Sequence, residues 1–170
     1  GGAAPVQGEV TVDAFLGGRV AAAQPAAGHH RSGLEAVLIA AAVGAKFTVL
    51  AVDVGAGAGV AGMCIAARCP HARVILAERD PEALACARTS LALPANAAFA
   101  GRVTIAEVDI AARETARAKA GLVRASAEVV VTNPPFHEAG AVRRSPGRAR
   151  AAAHVLAGEG LEPWVRAAAS

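Results

Sequence analysis

The tetrapeptide Asn133-Pro134-Pro135-Phe136 gathers hydrogen-bond acceptors beside an aromatic plate. Two consecutive prolines fix φ and carry no N–H, so this stretch of backbone offers carbonyls only. The Asn133 side chain adds a further carbonyl, and Phe136 adds a flat apolar face. Such a set suits a planar group that bears an amine. An exocyclic base amine is a poor nucleophile because its lone pair is delocalised into the ring. Accepting both of its N–H bonds, from the Asn133 side chain and the Pro134 carbonyl, favours pyramidalisation and aims the lone pair at an electrophile. That is catalysis by orientation and electrostatics, with no general base required. Phe136 would stack on a base that is unpaired or flipped out. The plainer reading is a proline-rich turn that stops a strand, and the tetrapeptide alone does not separate the two.

Three other features could hold a ligand. Asp53-Val54-Gly55-Ala56-Gly57-Ala58-Gly59 is a glycine-rich turn between a strand and a helix. Gly55, Gly57 and Gly59 let backbone approach a ligand and expose N–H groups at a helix start. Taken alone the loop fits NAD, S-adenosylmethionine or a plain tight turn. Glu78 follows Gly59 by 19 residues, where a carboxylate would accept from ribose hydroxyls. Asp109 is placed to accept from an adenine amine with Ile110 packing on the ring, or to cap the helix that follows. Asp53 distinguishes the cofactors. A carboxylate there would repel a pyrophosphate and attract a sulfonium or an ammonium, which favours S-adenosylmethionine.

All four features must sit at strand ends for this to work. Residues 47–54 form an apolar run broken only by Asp53, then a helix is expected over residues 60–68. A strand over 73–77 ends at Glu78, and Asp80-Pro81 starts a helix to about Leu93. Residues 102–108 form a third strand ending at Asp109, followed by a helix that Gly121 stops. Residues 128–132 form the fourth, closed by Asn133. Helices are also expected from Ser145-Pro146 toward Leu156 and over 161–169. Uniformly apolar strands alternating with helices predict a parallel sheet covered on both faces. In such sheets ligands bind beyond the carboxyl ends of the strands, where strand order reverses.

Ahead of this core, residues 10–16 and 19–23 flank Gly17-Gly18, a dipeptide suited to a two-residue hairpin turn. Ser32-Gly33-Leu34-Glu35 matches a capping box for a helix reaching about Val43, which supplies Glu35 with a structural role. The fold class expected is α/β: a Rossmann-like, doubly wound, mainly parallel sheet with an N-terminal hairpin. One domain is expected over residues 1–170, with the hairpin and loop in 1–31 and the core in 32–170.

Composition narrows the setting. The chain is 54% hydrophobic and 18% charged, with a net charge of +3, so a disordered chain is excluded. Cys64, Cys69 and Cys86 form no C-x-x-C pair; neither a disulfide framework nor a metal site is indicated, and a reducing cytoplasmic compartment is expected. The longest apolar run, residues 36–45, is too short to cross a bilayer, so no membrane partner is expected. Between residues 141 and 154 lie Arg143, Arg144, Arg148 and Arg150 with no acid. They read as a phosphate-contacting patch or as a solvated face of an arginine-rich chain.

Together these residues resemble a class I S-adenosylmethionine-dependent methyltransferase of the amino-group type, in the small-domain family. DVGAGAG resembles its cofactor loop, Glu78 its ribose-binding acid and NPPF its catalytic motif. DAFLGGRVAAAQPAAGHHRSGLEAVLIAAAV resembles the N-terminus of bacterial tRNA (valine) adenine-N6 methyltransferases. The resemblance implies S-adenosylmethionine as cofactor and an RNA partner, tRNA before others. Phe136-His137 is also similar to ribosomal-RNA guanine-N2 methyltransferases. A protein glutamine amide, being planar, fits the same motif, whereas hydride transfer to NAD has no use for it. Where the family usually carries Asp, this chain has Glu35. The family's sheet has seven strands, and four are readable here. Absent the last three, the chain is expected to be shortened, which leaves open an inactive cofactor- or RNA-binding fragment. The fourth strand would then be a bare edge, open to self-association or covered by the C-terminal helices.

Overall fold

Val10–Phe15 (β1) and Val20–Pro25 (β2) pair antiparallel in the computed structural model, which describes residues 9–26, 31–123 and 126–133. Their connection is not the expected two-residue turn. Phe15 pairs with Val20, so the loop spans residues 16–19. Leu16, Gly17 and Gly18 all take positive φ, 51°, 64° and 86°. Arg19 leaves the strand because its guanidinium donates to the Ala67 carbonyl at 2.7 Å.

Leu34–Ala42 (α1) follows. Its capping box forms only in part. The Ser32 backbone is held on both sides by Gln24, which accepts from the Ser32 N–H at 2.7 Å and donates to its carbonyl at 3.1 Å. Gly33 therefore occupies the cap position without a side-chain cap. The carboxylate half of the box survives, since Glu35 Oε1 accepts from the Gly33 N–H at 2.7 Å.

Leu50–Val54 (β3), Val60–Arg68 (α2), Arg73–Glu78 (β4) and Pro81–Ala92 (α3) come next. Residues 47–49 precede β3 rather than extend it, because the Phe47 N–H closes a turn onto the Gly44 carbonyl at 2.9 Å. Asp80 caps α3 through the Glu82 and Ala83 N–H groups, with Pro81 in the first turn. An unforeseen 3-10 turn, Pro94–Asn96, and a short helix, Ala97–Ala100 (α4), then lead to Val103–Glu107 (β5). Glu114–Lys119 (α5) ends before Gly121, whose φ of 94° suits glycine. Val129–Thr132 (β6) is the last element of the described residues; the helices expected from Ser145-Pro146 toward Leu156 and over 161–169 lie outside them.

Four strands form one parallel sheet in the order β5-β4-β3-β6. The chain moves outward from β3 to β5 and then returns to the other side of β3. Strand order thus reverses between β3 and β6, and it is beyond the carboxyl ends at such a reversal that sheets of this kind bind ligands. Successive side chains alternate between faces. Ala51, Val74 and Leu76 face the main core with Val60, Met63 and Ile65 of α2. Val52, Val54 and Ala77 face a smaller cluster with Ile110. Helix α5 buries none of its residues, so among the described residues this second face is covered more thinly than the apolar strands predict.

The hairpin attaches through buried polar side chains. Asn96 accepts from the Ala21 N–H at 2.9 Å and donates to its carbonyl at 2.7 Å. Ser90 Oγ accepts from the Ala23 N–H at 2.8 Å. At the opposite side of the sheet, the outer edge of β6 has no partner strand among the described residues. An apolar groove of about 470 Å³ runs beside it, lined by Ile39, Val43, Phe47 and Val129 to Val131. No helix among the described residues is long and apolar enough to cross a membrane.

Candidate active site

Asp53 stands next to last in β3 and is 1% exposed. Its Oδ2 accepts from the Gly62 N–H at 2.8 Å, while Oδ1 has no hydrogen-bond partner among the described residues. Burial pushes its carboxyl from the ordinary 3.8 up to about 7, opposed by the Gly62 hydrogen bond and helped by the charge of Glu78.

The loop after Asp53 winds through left-handed backbone at Gly55, Gly57 and Gly59, with φ of 63°, 58° and 85°. The Gly55 and Ala56 N–H groups both reach the Ala77 carbonyl, at 2.9 and 3.1 Å. A Cβ on Gly57 would meet nothing within 4 Å, whereas one on Gly59 would stand 2.6 Å from Leu76 Cδ1. Gly59 is thus needed for packing, and Gly57 borders open space. Gly62, outside the glycine-rich motif, also belongs to the site. It lies inside α2, where glycine costs about 0.5–1 kcal/mol relative to alanine; that cost was the available signal of a close approach.

Glu78 at the end of β4 reaches this loop. Its Oε2 accepts from the Gly57 N–H at 2.8 Å, and Oε1 accepts from the Arg79 and Asp80 N–H groups at 2.7 and 2.9 Å. Asp109 lies beyond β5. It does not cap α5, which starts only at Glu114. Instead Oδ1 accepts from the Ala111 N–H, and Oδ2 pairs with Arg79, both at 2.9 Å. The Ala111 bond foremost, then Arg79, hold its carboxyl below the usual range against the effect of burial. Ile110 packs into the second face with Val52, Val54 and Ala77.

Asn133 follows β6 and is 9% exposed. Val54 pairs with Thr132, and Thr132 Oγ1 donates to the Val54 carbonyl at 3.0 Å. That register sets Asn133 beside the start of the glycine loop, across the reversal of strand order. Asn133 Nδ2 donates to Glu35 Oε1 at 3.4 Å. The first turn of α1 therefore enters the site, a contact the capping pattern concealed. The structure thus brings Asp53, the three glycines and Glu78 to one loop, with Asn133 alongside and Asp109 farther along the strand ends. Pro134, Pro135, Phe136, Arg143, Arg144, Arg148 and Arg150 lie outside the described residues.

A family model described as "Methyltransferase small domain" matches residues 35–161. The ribosomal RNA large subunit methyltransferase G of Pseudoalteromonas translucida is 32% identical over 91 residues, covering 54% of this chain and 22% of that protein. Among solved structures, a predicted O-methyltransferase from Agrobacterium tumefaciens superposes with a TM-score of 0.61 at 38% identity, covering 78% of this chain and 53% of the other. The chain thus spans about a fifth of the first relative and about half of the second.

Proposed function

From the premise that the chain belongs to the methyltransferase small-domain family, we propose that it is an S-adenosylmethionine-dependent N-methyltransferase acting on the exocyclic amine of an RNA base, adenine in tRNA before others. The observation that carries this reading is the place of Asn133, a polar amide at the end of β6 beside the glycine loop.

The residues present fit the cofactor. Asp53 Oδ1, buried and without a partner among the described residues, suits the cationic end of such a ligand. The backbone at Gly57 meets open space, and Glu78 is the acceptor for ribose hydroxyls. Asp109 and Ile110 would border the adenine. S-adenosylmethionine supplies a methyl group activated by its sulfonium. Asn133 Oδ1 accepts one N–H of the substrate amine and the Pro134 carbonyl the other. Pro135 keeps that backbone rigid, and Phe136 stacks on the base. These acceptors turn the nitrogen lone pair toward the methyl group. The cofactor would supply the methyl group to that lone pair, and the amine's surplus proton would pass to water.

An RNA substrate is supported by similarity to a protein described as an rRNA methyltransferase and by the resemblance of residues 13–43 to tRNA adenine-N6 methyltransferases. Arg143, Arg144, Arg148 and Arg150 are the proposed phosphate contacts. A second reading is guanine-N2 methylation of rRNA: the relative is described as an rRNA methyltransferase, and Phe136-His137 resembles rRNA guanine-N2 methyltransferases. Self-association is proposed along the edge of β6 that has no partner strand among the described residues, beside the apolar groove; a sedimentation run showing only monomer removes that part.

The test is transfer of labelled methyl from S-adenosylmethionine to total tRNA and rRNA, followed by nucleoside mass spectrometry. N6-methyladenosine in tRNA is expected. N2-methylguanosine in rRNA selects the second reading, and a methylated glutamine amide a protein substrate. Cofactor binding without any transfer would leave only a binding fragment.

A further inference from the structure

We propose that Glu35 is a positioning residue for the reaction, selecting the one orientation of the Asn133 amide that can serve a substrate amine. The proposal rests on the role given to Asn133 above.

An asparagine amide has two nearly isosteric orientations related by a half-turn about its last torsion. One presents Oδ1 on the side away from Glu35, the other its NH2 group. A donor there would face the N–H bonds of an amine and repel them, so turnover depends on which orientation is populated. Glu35 decides this. An ionised carboxylate is an acceptor only, and its Oε1 stands 3.4 Å from Asn133 Nδ2. Turning the amide over would set Oδ1 against Oε1, two acceptors in contact. Glu35 therefore draws the NH2 group toward α1 and leaves Oδ1 for the substrate.

The carboxylate is itself held in place. The same Oε1 accepts from the Gly33 N–H at 2.7 Å, in the first turn of α1. A Cβ on Gly33 would stand 3.0 Å from Oε2, so the absence of a side chain at 33 lets the carboxylate fold back over its own helix start. One oxygen atom thus joins the cap of α1 to the end of β6, 98 residues away in sequence.

The experiment is a double-mutant cycle on the full chain: wild type, Glu35→Ala, Asn133→Ala and the double variant. Labelled S-adenosylmethionine with total tRNA and rRNA gives turnover, and calorimetry gives cofactor affinity. Glu35→Ala is expected to lower kcat about 10- to 100-fold, the scale of losing a hydrogen bond to a charged group, with cofactor affinity unchanged. In the Asn133→Ala background the same substitution should cost nothing more, because the amide it orients is gone. Glu35→Gln, whose carbonyl can still accept from Gly33 and Asn133, should recover part of the loss; it also serves if the alanine variant does not fold. Wild-type kcat in Glu35→Ala, or losses that multiply in the double variant, would overturn the proposal. Full turnover in Asn133→Ala alone would overturn the role of Asn133 itself, a failure visible before any Glu35 variant is made.

Discussion

Leu76 lies across Gly62: a methyl carbon added to Gly62 would collide with Leu76 Cδ2 and stand 3.1 Å from Asp53 Oδ2. The other Leu76 methyl fills the space at Gly59 in the same way. One buried leucine of β4 thus requires both glycines, and the closeness it permits lets the Gly62 N–H reach Asp53. Gly62→Ala should gain about 0.5–1 kcal/mol of helix propensity. Against this stands an overpacking cost of about 1–3 kcal/mol, because Leu76 is enclosed and cannot swing away. The net expectation is a loss of about 1–2 kcal/mol. A urea midpoint at or above that of wild type would contradict it.

Asp53 makes stability depend on pH in an unusual direction for a carboxylate. Its folded-state value of about 7 lies above the ordinary 3.8, so between these limits the folded chain holds a proton that the unfolded chain releases. Stability from this group is complete below about pH 3.8 and is lost as pH rises through about 7. Asp53→Asn keeps an acceptor for the Gly62 N–H and has no charge to bury. Its stability relative to wild type should therefore rise across that window, by a few kcal/mol in total, and then level off. Urea midpoints of both proteins over a pH series measure the difference; parallel curves would disprove it.

A cation bound beside Asp53 favours its ionised form, so below about pH 7 binding must expel a proton. Affinity for S-adenosylmethionine should climb with pH up to about 7 and change little above it. Calorimetry at pH 6 in two buffers of different ionisation enthalpy should give different apparent heats. Identical heats would place the cationic group away from Asp53.

The four parallel strands are legible because each is largely apolar and is followed closely by a polar residue or a glycine. Asp80-Pro81 and Gly121 mark helix limits through backbone chemistry that acts within a few residues. Contacts between distant segments were not legible. Glu35 satisfies a local pattern, and nothing near it in sequence indicates Asn133. Ser90 and Asn96 are ordinary polar residues until β2 is laid against them, 67 and 75 residues away in sequence. The hairpin loop is longer than Gly17-Gly18 indicates, because the pull on Arg19 comes from Ala67, 48 residues away in sequence.

The proposed phosphate contacts of Arg143, Arg144, Arg148 and Arg150 give a test that separates an RNA substrate from a protein one. Each phosphate contact contributes about 0.7–0.9 to the slope of log affinity against log salt. Replacing Arg143 and Arg144 together by alanine should lower that slope by roughly 1.5 and weaken binding to all RNA sequences alike. Filter binding over a salt series reads both. An unchanged slope would return these arginines to the solvated surface.

Asn96 shows how the hairpin depends on side chains for backbone partners. It is fully buried, and its amide serves both the N–H and the carbonyl of Ala21 while also donating to the Ser90 carbonyl at 2.6 Å. Asn96→Ala would strand the Ala21 pair away from water, at about 1–3 kcal/mol for each group left unsatisfied. Detaching the hairpin lets water reach that edge and so limits the loss. The expected result is therefore local release of β2 with the parallel sheet intact. Amide hydrogen exchange should accelerate at Ala21 and Ala23 in the variant while Val52 and Leu76 keep wild-type protection. Equal acceleration at all four amides would mean that the hairpin and the sheet unfold as one unit.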